Sequence, residues 1–241
     1  MQFPCKLFLL SVTVVLASFT APAKRTENDT MIIRKTADFE ISGTGKDDHW
    51  NKTAWLTLPL LKSSGADYTT RVKFLYSETG LYFLFFCEDK KLTATMEADF
   101  LDLWNEDVIE IFLQPDASVP AYFEYELSPL NHELPITIYN EKGKLNSWIP
   151  FHYEGDRKTK HFTTVHGGPQ KSNAKVTGWT SEIFVPYPLL KPLLTKPPVS
   201  GSRWKGNLNR IDYDQGEALW AWQRNSGDFH AYDKFGIFEF E

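Results

Sequence analysis

The chain has 241 residues, a net charge of −5, eight Trp and an aromatic fraction of 15%. That length allows a substantial hydrophobic core without help from disulfides. The acidic balance, with no basic run, offers no phosphate-binding face, so a nucleic-acid partner is not expected.

The first residues read as a targeting segment. MQFPCK is a short positive start, LFLLSVTVVLASF an apolar run, and TAPA a small-residue stretch before Lys24. This is the pattern of a secretory signal peptide spanning residues 1–23, cleaved near Ala21 or Ala23. The apolar run is short for a membrane span. The mature chain is therefore expected to be secreted or periplasmic, without membrane contact after cleavage; an uncleaved anchor is the alternative. Cys5 leaves with the leader, and Cys87 in LYFLFFCED then reads as a small buried apolar residue. The mature chain has no cysteine pair for a disulfide or a thiolate metal site. Sequons stand at Asn28 and Asn51.

Residues 24–36 are polar and read as a flexible lead-in; one domain is expected over 37–241. RVKFLYS, ETG and LYFLFFCED spell strand, turn, strand across 71–89, with Gly80 suited to a positive-φ turn position. DVIEIFLQ (107–114) is a strand. YFEYELS (122–128) alternates, with Phe123, Tyr125 and Leu127 on one face and Glu124, Glu126 and Ser128 on the other. Further strands are expected at 134–140, 178–186, 204–214, 218–224 and 235–241. A turn or two of helix at 186–194 is limited by Pro188 and Pro192. Strands at short spacing with turn residues between them predict an all-β, jelly-roll-like sandwich of two antiparallel sheets.

The ordered set DDHWNKTAW, RVKFLYSETGLYFLFFCED, WNEDVIEIFLQPD, YFEYELSPLN, GWTSEIFVPYPLL, WKGNLNRIDYD and FHAYDKFGIFEFE resembles the family 9 carbohydrate-binding modules, in particular secreted single-domain relatives. The resemblance implies a non-catalytic β-sandwich serving polysaccharide breakdown. It implies a sugar held between two tryptophans, with charged and amide side chains on the hydroxyls, and structural calcium in some members. Trp104 matches one family tryptophan, Glu110 the sugar-binding carboxylate, and Asn209 the side-chain amide. The second tryptophan is missing; Phe229, His230 or Tyr232 stands in its region. Glu126 occupies about the position of a family arginine.

The residues themselves support a minimal sugar site. On the strand 108–113, Ile109, Ile111 and Leu113 form the natural core side, while Val108, Glu110 and Phe112 face away. Glu110 would then lie beside Glu124 and Glu126. A carboxylate makes strong charge-assisted hydrogen bonds to hydroxyls, and an indole gives apolar contact to a pyranose C–H face. The candidate ligand-binding set is Trp104, Glu110, Glu126, Asn131, Asn209, Arg210, Trp222, Phe229 and His230. Asn209 and Arg210 alternate, so one of them at most enters a given site; the planar fork of Arg210 favours it. Trp50, Trp55, Trp179 and Trp204 are assigned to core packing.

No cofactor is required by this reading. A calcium site from Asp side chains and carbonyls in DDHWN or NEDV is the alternative, and the six histidines show no metal-ligand spacing. Two other functions compete. Paired Glu among 110, 124 and 126 would suit a glycoside hydrolase, whose carboxylates stand about 5–5.5 or 6.5–9.5 Å apart. A haem-binding sandwich of extracellular redox type would need Met96 with His230 or His132 as axial ligands.

Overall fold

The computed structural model describes residues 29–241. The expected leader and Asn28 lie outside the described residues. The strands are β1 Thr30–Lys35, β2 Leu56–Thr57, β3 Leu60–Lys62, β4 Thr70–Tyr76, β5 Gly80–Glu88, β6 Val108–Gln114 and β7 Ala121–Leu127. They continue as β8 Glu133–Glu141, β9 Lys144–Trp148, β10 Lys160–His166, β11 Gly178–Pro186, β12 Arg203–Asp212, β13 Ala218–Ala221 and β14 Gly236–Phe240. Helical structure among the described residues is confined to short 3-10 turns, including Tyr187–Leu190 before Pro192. None of these helices is long and apolar enough to cross a membrane.

The strands run in the order β10-β11-β5-β4-β1-β14-β12-β6-β7-β8-β9, with β2, β3 and β13 as side branches. The all-β expectation holds, but the purely antiparallel two-sheet expectation does not. β1 lies parallel to β14 through Thr30–Ile33 and parallel to β4 through Arg34 and Lys35. One strand thus pairs with both halves and joins them into a curled mixed sheet. It also occupies most of the described part of the segment expected as a flexible lead-in, with Met31 and Ile33 turned inward against the core.

The curl brings the two halves face to face. Phe83, Phe85 and Ile183 from one half pack with Ile109, Ile111, Leu113 and Phe123 from the other. Each half also has its far side covered. Phe39, Ile41 and Trp50 cover Leu75, Tyr82 and Leu84. Glu182 anchors that cover: its carboxylate accepts from Trp50 Nε1 at 2.6 Å and from the Ser42 and Thr44 amides at 2.8 and 3.1 Å. On the opposite half, Leu103, Phe229 and Phe235 lie over Val108, Phe112 and Tyr122.

Glycine has two packing uses here. Gly80 begins β5 with ordinary φ, and a side chain there would strike the Phe184 ring and the Val185 carbonyl. The positive-φ expectation for Gly80 is corrected accordingly. Gly236, in the closing Lys-Phe-Gly, is bare because the Trp222 ring lies against it. Trp222 stacks on Phe238 with ring centroids 5.0 Å apart, which makes it a core residue and removes it from the candidate site.

Arg210 is corrected in the same way. It is 0% exposed and points into the core between the halves. Its guanidinium donates to Asp212 at 2.7 Å and to the Glu88 carbonyl at 2.7 Å, reaches the Thr70 hydroxyl at 3.2 Å, and lies 3.4 Å from Asp89. The Trp220 ring centre is 5.0 Å away. Burial pushes the Asp89 carboxyl up to about 7, against the opposing pull of Arg210. Arg210→Met should therefore cost about 3–5 kcal/mol by leaving buried acids unpaired. A lower urea midpoint at unchanged slope would show it, and adding Asp212→Asn should recover part of the loss.

Candidate functional site

The site grows from strand register. Asn209 of β12 pairs with Glu110 of β6, and Glu110 pairs with Glu126 of β7. One step along, Phe112 pairs with Glu124. Residues two apart share a face, so Glu110, Glu124, Glu126 and Asn209 project together to the side opposite the main core. The expected alternation of β6 is borne out: Ile109, Ile111 and Leu113 lie in the core cluster, Val108 and Phe112 in the outer one. The outer face is not simply solvated, however. Glu110 and Glu124 are buried, and Glu126 is 0% exposed.

A cleft of about 440 Å³ opens over these acids. Glu110 and Glu124 reach it from the floor, Ile136 and Ile138 of β8 and Leu145 of β9 form one wall, and Leu219 of β13 lies on the other side. Trp104, Phe229 and His230 complete the lining. The size falls within the usual range for small-ligand sites, and the mixture of apolar walls with a few convergent polar groups is typical of them.

Trp104 sits on the 3-10 turn Leu103–Asn105 and is 39% exposed, available for a planar contact. Its neighbours fix that turn. Leu103 is buried, and the Trp104 carbonyl accepts from the Tyr213 hydroxyl at 3.0 Å. The acids that follow in the sequence also hold loops. Glu106 accepts from the Met96 amide at 2.9 Å, and Asp107 accepts from the Tyr213 amide at 2.8 Å. In DDHWN, Asp47 caps its own 3-10 turn through the His49 amide at 2.9 Å.

His230 is held just as firmly. Its Nδ1 is hydrogen-bonded to the Tyr122 hydroxyl at 2.7 Å, its ring stacks on Phe112 at 5.4 Å, and its carbonyl accepts from Asn140 at 2.8 Å. Burial pushes its pKa down, favouring the neutral ring. Met96, the other half of the haem expectation, packs against the outer apolar cluster.

Of the nine candidates, the structure brings Trp104, Glu110, Glu126, Asn209, Phe229 and His230 together. Glu126 lies beneath the cleft beside Glu110 rather than in its lining. Asn131 belongs to the β7–β8 turn at φ 69°, and its side-chain Oδ1 meets His161 Nδ1 at 3.1 Å, away from the cleft lining. Arg210 and Trp222 point into the core. Among the expected core tryptophans, Trp50, Trp179 and Trp204 are buried, while Trp55 is exposed with Arg71 and Lys73 over its ring. Sequence reasoning missed Ile136, Ile138, Leu145 and Leu219 in the lining. The alternation of LPITIYN marks Ile136 and Ile138 as one face, but only the pairing of β8 with β7 shows which side that is.

Three acids so close together have a chemical consequence. Burial pushes Glu110 and Glu126 well above the ordinary carboxylate range, and the mutual repulsion with Glu124 adds to it. Burial also pushes Glu124 up to about 7. A group with a raised folded pKa binds more protons folded than unfolded between its two values. Its contribution to stability is then lost as pH rises. For Glu124 that window runs from 4.5 to about 7. The thermal midpoint of the ligand-free protein should fall across this interval, and Glu124→Gln should flatten part of the fall.

Comparison with known proteins agrees with the architecture. The model of the family described as carbohydrate family 9 binding domain-like matches residues 41–200. The chain belongs to that family. Asn209, Phe229 and His230 lie beyond the matched residues. A candidate carbohydrate-binding protein from Bacteroides uniformis ATCC 8492 is similar in structure, with a TM-score of 0.73 at 14% identity, covering 88% of this chain and 99% of that one. A family 9 carbohydrate-binding module from Caldicellulosiruptor kristjanssonii, solved with cellotriose, gives a TM-score of 0.64 at 15% identity, covering 88% of this chain and 93% of that one. The same organism's family 9 module solved with glucose gives 0.63 at 16%, covering 88% and 95%. No curated protein matches the chain.

Proposed function

We propose that this protein is a secreted, non-catalytic carbohydrate-binding module that holds one sugar unit or chain end in the cleft above Glu110. Family membership supports the ligand class, as do the neighbours solved with cellotriose and glucose. The observation that carries the reading is the exposed face of Trp104 beside the carboxylates of Glu110 and Glu124. The indole supplies apolar contact to the ring C–H groups, and the acids accept from hydroxyls. His230 and Phe229 also line the cleft, in the region where the resemblance implies a second tryptophan. The signal-like leader supports an extracellular or periplasmic location and a role in polysaccharide breakdown.

The acids favour holding over hydrolysis. Glu110, Glu124 and Glu126 are grouped on a single floor, with ligand oxygens within 4.8 Å of one another. A glycosidase needs carboxylates on either side of the bond it cleaves, and these do not straddle the cleft.

A cleft of this size predicts affinities in the micromolar to millimolar range. Calorimetric titration against a glycan panel should find a binder, and Trp104→Ala should weaken it by about tenfold or more, roughly 1.4 kcal/mol. No heat with any glycan, or full affinity in Trp104→Ala, would overturn the reading.

A further inference from the structure

Below the cleft is an arrangement that sugar contacts alone leave unexplained. Glu110, Glu124 and Glu126 each offer an oxygen within 4.8 Å of the others. Oxygens around a calcium ion at about 2.3–2.6 Å can be at most about 4.6–5.2 Å apart. The trio fits within one such coordination sphere. A cluster of acids is not a site on that ground alone, and the partners of its atoms decide the matter.

Both oxygens of Glu126, one of Glu124 and the side-chain carbonyl of Asn209 are buried without a hydrogen-bond partner. The Trp104 amide approaches Glu126 and favours its charged form, without completing a bond. Asn209 turns its amide nitrogen to Glu110 at 3.4 Å, and its side-chain oxygen is left without a partner next to that residue. Buried polar atoms in this state carry a desolvation cost that a ligand would remove. Among the described residues no lysine or arginine lies within ion-pair range of these acids. Among the described residues only His230 comes within ion-pair range, at 3.8 Å from Glu124, and it is already bound to Tyr122.

The other tight acid cluster among the described residues supplies the contrast. Asp89, Asp212 and Asp214 are equally close, but Arg210 lies against the first two, and Tyr68 and Thr93 donate to Asp214. There the chain provides its own cation and donors. Beneath the cleft the only nearby donors among the described residues are the Asn209 amide nitrogen, 3.4 Å from Glu110, and the Trp104 amide, and the acid oxygens left without a partner are the kind of ligand preferred by hard divalent ions.

We propose that Glu110, Glu124, Glu126 and the Asn209 carbonyl form a calcium-type divalent-cation site, and that the ion offers its open coordination positions to vicinal hydroxyls of a sugar in the cleft. The second half of this inference rests on the carbohydrate reading; the cation site does not. Glu110 and Glu124 line the cleft, so an ion enters from that side.

The test uses the full mature chain after EDTA treatment and dialysis. Calcium is titrated by calorimetry, and Tb³⁺ by luminescence sensitised through Trp104. Saturable binding is expected, weakened at least tenfold in Glu126→Gln and in Glu124→Gln, and unchanged in Asp48→Asn. Circular dichroism checks that each variant is folded, and two separate floor variants guard against one misfolding. No saturable binding of either ion to wild type, or binding unaltered in both floor variants, would overturn the site. Sugar binding measured with calcium and with EDTA separates the two proposals. Calcium binding with no glycan recognised upholds the ion site and removes the carbohydrate reading. Glycan binding that is indifferent to EDTA, with no ion bound, does the reverse. Binding restricted to amino sugars without calcium would show that an ammonium group fills the place, and would also overturn the ion site.

Discussion

One alternation on β12 organises the molecule. Asn209 and Arg210 are adjacent, so they face opposite sides of the sheet. Arg210 goes inward, where it reaches Glu88, Thr70 and Asp89 from the other half of the curled sheet. It ties β12 to β4 and β5 across a largely apolar and aromatic core, together with the buried acids Asp89 and Asp212. Asn209 goes outward to Glu110. The same step that places the buried guanidinium in the core therefore removes it from the acids beneath the cleft. Structural charge compensation and ligand-facing charge are kept on separate faces by a single residue of register.

The cleft is set on rigid supports. Its acids come from the middle of paired strands, where both neighbours fix the backbone. The lips come from loops, yet those loops are tied down by buried side chains and by Glu106, Asp107, Tyr213 and Asn140. Such a frame holds side chains in place before a ligand arrives, which limits the ordering cost of binding. The acids of the NED sequence after Trp104 are thus part of the frame.

Much of this was legible in the sequence. The two-residue period of DVIEIFLQ and YFEYELS assigned the faces of β6 and β7 correctly, and the hairpin 71–89 follows from its turn. What the sequence could not show was coverage. A strand with one face away from the core reads as half-solvated, yet Leu103, Phe229 and Phe235 bury that side of β6. Glu110 was therefore expected at a surface and lies at the bottom of a cleft. Arg210 was favoured over Asn209 because its chemistry suits hydroxyls, but face assignment depends on pairing partners far along the chain. Leu145 and Leu219 were missed for the same reason: β9 and β13 are short strands whose contribution is positional.

The parallel pairing of β1 with β14 has a mechanical meaning. Thr30 lies beside Ile237 and Ile33 beside Phe240, so the two strands point the same way. Tension applied between the start of β1 and the end of β14 would slide one strand along the other, loading their cross-links together instead of peeling them apart one by one. A protein anchored at one end of the chain and dragged from the other would resist such a pull better than a hairpin of equal length.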